Sequence, residues 1–180
     1  MEIRRIQSSD VPGFIEMWKR IFAEGQFLAK GPPPHDKVAK VVAKVVAEEI
    51  PNFVALDDGN VVGAVEVFPG TMCGQMFEGA ERVGFLGLQV DKKNRRKGIG
   101  TDLMRAAISD SVRYGFESIE LAVFESNTPA IRLYESLGFT LTGQGESASP
   151  PAGTSAREQY MRLNLVHNKS LKNDAASGAS

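Results

Sequence analysis

The amino-acid sequence predicts a mixed α/β fold in a single domain, on three observations. Segments with apolar residues at helical spacing alternate along the chain with short extended apolar runs, the pattern of helices laid on a sheet. The 180 residues, 42% of them hydrophobic, suffice for one sizeable core and give no reason to seek a second domain. Asp57-Asp58-Gly59-Asn60 between two apolar runs marks an antiparallel hairpin, and a pair of strands closes the chain.

Residues 1–6 read as a first strand. Ser9 or Asp10 then caps a helix in which Val11, Phe14, Ile15, Trp18, Ile21 and Phe22 form one apolar stripe. Gly31-Pro32-Pro33-Pro34 separates it from a second helix over residues 36–50. There Val38, Val41, Val42, Val45 and Val46 keep the helical period although β-branching favours strands, and Pro51 closes the run. Residues 53–56 and 61–68 are the hairpin strands. A polar, glycine-containing loop fills residues 69–82, and 83–90 return as a strand. Leu103, Met104, Ala107, Ile108 and Val112 then recur at helical spacing until Gly115 ends the helix. Residues 118–124 form a further strand, followed by a helix that starts at Pro129, a strand near 139–142 and a last strand over 157–165. Between these last two, residues 143–156, GQGESASPPAGTSA, predict a mobile loop. The domain is expected to span residues 1–165, and the polar tail 166–180, ending AASGAS, is expected to be disordered.

A net charge of -1 argues against a general nucleic-acid or membrane binder, so the basic cluster Lys92, Lys93, Arg95, Arg96 and Lys97 is a local feature. The single cysteine, Cys73, precludes an internal disulfide framework. With two isolated histidines, His35 and His167, it makes no metal constellation, and no metal is expected. The charged N-terminus and the lack of any long apolar run predict a cytoplasmic protein without a targeting segment or membrane span.

The stretch from Leu88 to Met104, LQVDKKNRRKGIGTDLM, joins an apolar strand to a helix through a basic, glycine-containing turn. Such a turn suits an anion. The first amides of a helix lack carbonyl partners, the helix dipole adds roughly half a positive charge there, and Gly98 and Gly100 let a diphosphate lie against the backbone. No Lys-Ser or Lys-Thr follows a glycine, which excludes a Walker A loop. Gly98-Ile99-Gly100 is followed by Leu103, which excludes the dinucleotide fingerprint G-x-G-x-x-G. What remains is R-x-x-G-x-G, which by itself also suits a solvated basic turn.

Arg95-Arg96-Lys97-Gly98-Ile99-Gly100, with the L-x-V of Leu88 to Val90 before it, resembles the acyl-CoA pyrophosphate signature of the GNAT superfamily of N-acetyltransferases, [QR]-x-x-G-x-[GA]. A second segment, Asn127-Thr128-Pro129-Ala130-Ile131-Arg132-Leu133-Tyr134-Glu135-Ser136-Leu137-Gly138-Phe139, is similar to that family's N-x-x-A-x-x-L-Y-x-x-x-G-F. Its local chemistry is that of a helix: Thr128 can cap it, Pro129 at the first position has no N–H to waste, and Gly138 can end it. The resemblance covers roughly residues 2–165 and implies the GNAT fold, a mixed and mostly antiparallel twisted sheet flanked by helices.

The resemblance also implies a chemistry. Acetyl-CoA would be the cosubstrate and a primary amine the acceptor, on a small molecule such as an amino acid or on a protein N-terminus, with direct transfer and no covalent enzyme intermediate. Leu88, Gln89 and Val90 would lie along the pantetheine arm, and the amide of Val90 or Gln89 would polarise the thioester carbonyl. Arg95, Arg96, Lys97, Gly98, Ile99, Gly100 and Thr101 would hold the pyrophosphate through backbone amides, while Lys92, Lys93 or Arg96 reaches the other phosphate. Asn127 would bond the pantetheine arm, and Tyr134 would protonate the departing thiolate. From the residues alone, Asn127 also reads as a turn residue before a helix and Tyr134 as a core aromatic.

Glu66, the one acid in the apolar run 61–68, is the candidate general base. Strand alternation groups it with Val62, Ala64 and Phe68, which equally suits a partly buried ion pair or an edge position. Glu24 and Glu125 are weaker candidates, and water alone could take the proton. Acceptor determinants would fall in residues 24–36 and 143–156. An acidic mouth from Glu24, Glu66 or Glu146 would favour a cationic amine, and an apolar slot a hydrophobic amino acid. A domain that binds acyl-CoA as a sensor without turnover is the alternative, and a homodimer is compatible with the family.

Overall fold

The computed structural model describes residues 1–28, 30–148, 150–151 and 155–165. The tail from residue 166, with His167, lies outside them. In chain order the strands are β1 (Glu2–Arg5), β2 (Asn52–Asp57), β3 (Asn60–Pro69), β4 (Val83–Val90), β5 (Ser118–Phe124), β6 (Thr140–Glu146) and β7 (Arg157–Asn164). The helices are α1 (Val11–Phe22), α2 (His35–Ala47), α3 (Ile99–Tyr114) and α4 (Thr128–Ser136). The strands make one seven-stranded sheet in the order β1-β2-β3-β4-β5-β7-β6. Only the β4–β5 pairing at its centre is parallel.

Two cores lie on opposite faces of this sheet. Val65 and Val67 on one face pack with Leu103, Met104 and Ala107 of α3 and with Tyr134 of α4. Val54 and Ala64 on the other pack with Phe14 and Met17 of α1 and Val42 and Val45 of α2. Burying a side chain of this size contributes roughly 1.5–3 kcal/mol, so the two apolar layers fix which helix covers which face. The valine stripe of α2 is narrower than its period suggests. Val38, Val42 and Val45 are buried while Val41 and Val46 are 40% and 45% exposed. Helix α2 also stops at Ala47, three residues before Ile50, because Glu49 adopts a left-handed φ of 52° and turns the chain so that Ile50 enters the core.

Several local expectations are corrected by side chains that find other partners. Asp10 takes the N-cap position of α1, as one of the two expected residues, but its side chain makes no capping bond. The Asp10 carboxylate turns back to accept from the Gln7 amide (2.7 Å) and from both terminal nitrogens of Arg4 (2.7 and 2.8 Å). At α4 the cap is Asn127 rather than Thr128, its Oδ1 accepting from the Ala130 amide at 3.4 Å. Residues 69–82 hold two short 3-10 turns, Gly70–Cys73 and Ala80–Arg82. Strand β6 runs on to Glu146, so the stretch expected as a loop from 143 begins as strand, paired with β7. Finally, Val62 does not share a face with Glu66. The β2–β3 register shifts between Ala55 and Leu56, Val62 becomes the extra residue of a bulge, and it packs in the α3 core.

Candidate active site at the opening of the sheet

Strand β4 is paired fully on one side and only at its start on the other. With β3 it runs antiparallel from Pro69↔Gly84 to Gly63↔Val90. With β5 it pairs at Val83↔Ser118, Gly84↔Ile119 and Phe85↔Glu120, while β5 keeps its other partner, β7, out to Phe124. Past Phe85 the two strands part, and a cleft of about 610 Å³ opens between them. The Asp91 amide donates to Val62 O at 2.8 Å, and Arg82 O accepts from the Glu117 amide at 2.8 Å. Both bonds fix one parity: the backbone groups of Gly87 and Gln89 face β3, and those of Leu86, Leu88 and Val90 face the cleft. The amide available to polarise a carbonyl in the cleft is therefore that of Val90, not that of Gln89.

The basic turn closes one end of this cleft. After a 3-10 turn at Lys92–Asn94, Arg96 and Gly98 take left-handed φ values of 65° and 82°. Alternating left-handed residues turn successive amides toward one side, the concave arrangement that receives phosphate oxygens. The first amide of α3 to donate back is that of Asp102, to Gly98 O (3.1 Å), which leaves the preceding amides for a ligand. At Gly98 the need is the left-handed backbone. At Gly100 a Cβ would lie 3.3 Å from Leu133 Cδ2, so a side chain there is tolerated only if the leucine shifts by a few tenths of an ångström. Two of the turn's cationic side chains are engaged by protein groups. Arg95 donates Nε to Val90 O (2.9 Å) and both terminal nitrogens to Glu24 (2.8 Å each), bracing the turn against the segment that follows α1. Lys97 donates to Asn94 Oδ1 (2.9 Å), and the Ile99 side chain is buried in the core.

Of the residues the sequence singled out, Leu88, Gln89, Val90, Arg95, Arg96, Gly98, Gly100, Thr101, Asn127 and Tyr134 line the cleft together. The side chains of Lys97 and Ile99 do not, and neither does Glu66. Tyr134 is 6% exposed, with its ring 5.8 Å from that of Phe139. Burial pushes its phenol well above the usual tyrosine range, so it holds its proton.

Glu66 lies on the α1/α2 face in register with Asn52 on β2 and Gly87 on β4. It has no hydrogen bond or ion pair among the described residues, and β3 is an interior strand, so neither the ion-pair nor the edge reading describes it. Desolvation with nothing to offset it raises its carboxyl to about 7. Glu24 is paired through both carboxylate oxygens with Arg95. Glu146 lies in β6 opposite Arg157. The wall on the α1 side is instead apolar, made by Ile21, Phe27 and Leu28. Phe27 and Leu28 fall in the segment 24–36 where acceptor determinants are expected, whereas Ile21 escapes sequence reasoning, because an apolar residue in an amphipathic helix reads as core until the gap it borders is known.

Comparison with known proteins identifies a family and matches the fold. The profile of the acetyltransferase (GNAT) family matches residues 15–139. An L-amino acid N-acetyltransferase of Escherichia coli K12 is 32% identical over 113 residues, 62% of this chain and 67% of that protein. N-alpha-acetyltransferase 30 of Xenopus laevis is 40% identical over 88 residues, 48% of this chain but only 30% of its own length. Among solved structures, an acetyltransferase from Salmonella typhimurium with its cofactor acetyl-CoA superposes with a TM-score of 0.81 at 22% identity, covering 92% of this chain and 94% of that one. A ribosomal-protein-alanine N-acetyltransferase from Brucella melitensis gives 0.78 at 21%, covering 92% and 100%.

Proposed function

The chain belongs to the acetyltransferase (GNAT) family, the acetyl-CoA-dependent N-acetyltransferases, and from that premise we propose that it moves the acetyl group directly to a primary amine of a small molecule, an amino acid or related amine, or of a protein N-terminus. The observation that carries this reading is the opening between β4 and β5, bounded at one end by the glycine turn and lined by Tyr134. Its residues fit an acyl-CoA. The outward backbone groups of Leu88 and Val90 match the amides of a pantetheine arm, the amides from Arg96 to Thr101 match a diphosphate, and about 610 Å³ is within the size of small-molecule sites. Asn127 Oδ1 is occupied in capping α4, which leaves its Nδ2 to donate to the arm.

Bound acetyl-CoA supplies an activated acyl group, so the protein has to position an amine, take its proton and return one to the departing sulfur. The Val90 amide would receive the carbonyl oxygen as charge builds on it. Tyr134, proton retained, would donate to the thiolate as the carbon–sulfur bond breaks, a contribution typically worth about 10²–10⁴-fold. Glu66, on the face opposite α3 and outside the cleft lining, would accept the ammonium proton through water; a carboxyl near 7 is matched to that exchange at neutral pH.

For the acceptor, the apolar wall of Ile21, Phe27 and Leu28 and the neutralised Glu24 support an amine carried by an apolar side chain, free or at a protein N-terminus, over a polyamine. The names of the Escherichia coli and Xenopus relatives fit both forms. Free-thiol release from acetyl-CoA across amino acids, polyamines, aminoglycosides and peptide N-termini tests this. Release is expected with apolar amino acids or N-terminal peptides. Tight CoA binding without any amine-dependent release would overturn it in favour of a sensor.

A further inference from the structure

We propose that Glu158 sets acceptor specificity, its carboxylate selecting an α-amine whose neighbouring carboxyl is blocked, as in a chain terminus or an amino-acid amide, over a free amino acid. This rests on the acetyl-transfer reading of the cleft and chooses between the two forms of acceptor which that reading admits. Among the described residues Glu158 is the one acidic side chain lining the cleft, and it has no hydrogen bond or ion pair there. Strand register places it. Ile119, Leu121 and Val123 point into the α3 core, so Phe124 lies on the opposite face, and Glu158 is its partner on β7. Gln89 is on that face too, paired with Ala64 of the α1/α2 core. Because Phe85 pairs with Glu120, Gln89 comes level with Phe124 four residues further on. Gln89 and Glu158 therefore stand at one level across the opening, with Phe124 between them.

Both groups accept hydrogen bonds and lack a donor. Gln89 is 9% exposed and its Oε1 is buried without a partner, a state that costs the fold unless a bound N–H fills it. No cation balances Glu158. Of the cationic side chains lining the cleft, Arg95 is engaged by Glu24 and Val90, and Arg96 stands in the turn before α3. The wall that faces the acceptor is made by Ile21, Phe27, Leu28 and Phe124, so no cation there receives a carboxylate. A free amino acid carries its carboxylate on the same carbon as its amine. Glu158 would attract the one and repel the other, and Gln89 Oε1 would meet no N–H on that carboxylate. A chain terminus or an amide keeps the ammonium and offers an N–H where the carboxylate would be. Selectivity then comes from a like charge set against the wrong acceptor as much as from a contact with the right one.

Free-thiol release from acetyl-CoA with leucine, leucine amide and a leucine-initiated peptide tests this. Each kcat/KM is compared between wild type and Glu158→Gln, so that the differing basicity of the three amines cancels. Wild type is expected to prefer the amide and the peptide to leucine by about tenfold or more. In Glu158→Gln the amide and peptide should weaken and leucine improve, bringing the ratio down about tenfold, and Glu158→Lys should favour leucine further. A gain with leucine is a result that lost packing would not give. Glu146→Gln, which removes an equal charge from β6 outside the cleft, should keep the wild-type ratio. Titration of each variant with CoA reports whether the donor side is intact. An unchanged ratio in Glu158→Gln, or a wild type that uses leucine as well as its amide, would overturn the inference and leave acetyl transfer standing. Release with none of the three acceptors, while CoA binds tightly, would overturn the transfer reading itself.

Discussion

Tyr134 and Glu66 are both desolvated, and burial acts on them in opposite functional senses. Burial disfavours the charged form of each, which keeps the phenol protonated and brings the titration of the carboxyl up to about 7. Tyr134→Phe keeps the ring against Phe139 and removes only the proton, so turnover should fall by about 10²–10⁴-fold with CoA affinity nearly unchanged. Unchanged turnover would exclude Tyr134 as the acid. For Glu66, activity of the wild type should rise with pH through about 7, and Glu66→Gln should lose that limb. Stability runs the other way. The folded carboxyl sits above its unfolded value of 4.5, so its contribution is fully present below that value and is lost as pH rises through about 7. Glu66→Gln should therefore melt higher than wild type above pH 7 and lose that advantage at pH 4; equal melting temperatures at both ends would mean the carboxyl is not desolvated.

Two short elements set the shape of the cleft. Helix α4 carries Tyr134, and its start is fixed by Asn127 Oδ1 on the Ala130 amide. Asn127→Ala should cost about 1 kcal/mol and lower Tm by about 2–4 °C, because a cap is lost at a helix N-terminus. It should also weaken CoA binding if Nδ2 reaches the pantetheine arm; melting lower with unaltered CoA affinity would confine Asn127 to capping. The turn is held from behind by Arg95, whose planar fork meets both oxygens of Glu24. Arg95→Lys keeps the charge but cannot make that paired contact, so CoA affinity should drop by about tenfold. Wild-type affinity in that variant would show that the brace is dispensable.

Across the whole molecule, the sheet reconciles two demands, a continuous hydrogen-bonded core and an opening large enough for a substrate. It does so by parting β4 from β5 after three residue pairs and letting β3 and β7 complete the outer sides. Helix α3 is tied to the edge strand β1 by Asp110, which is 1% exposed and accepts from Arg5 of β1 and from Arg113 of α3. Asp110→Ala should destabilise the fold by about 2 kcal/mol in denaturant titration, since both arginines stay partly solvated and only the carboxylate is fully buried. A loss below about 0.5 kcal/mol would mark the contact as inert. No helix among the described residues is long and apolar enough to cross a membrane.

Local chemistry made much of this legible in the sequence. Apolar period placed α1 and α3, alternation and turn residues placed the β2–β3 hairpin, and glycine spacing with two ordered motifs identified the family and the turn, because each depends on residues within a few positions of one another. What depends on partners distant in sequence did not show. The Arg95–Glu24 pair spans 71 residues, the bulge that turns Val62 away from Glu66 needs β2's register, and Asp10 and Asn127 choose partners only once the neighbouring chain is in place. The sequence by itself determined the family and the glycine-containing basic turn at the start of α3. Only the tertiary structure decided which amide of β4 faces the cleft and which charges are already neutralised, because pairing and desolvation are set by contacts across the sheet rather than along the chain.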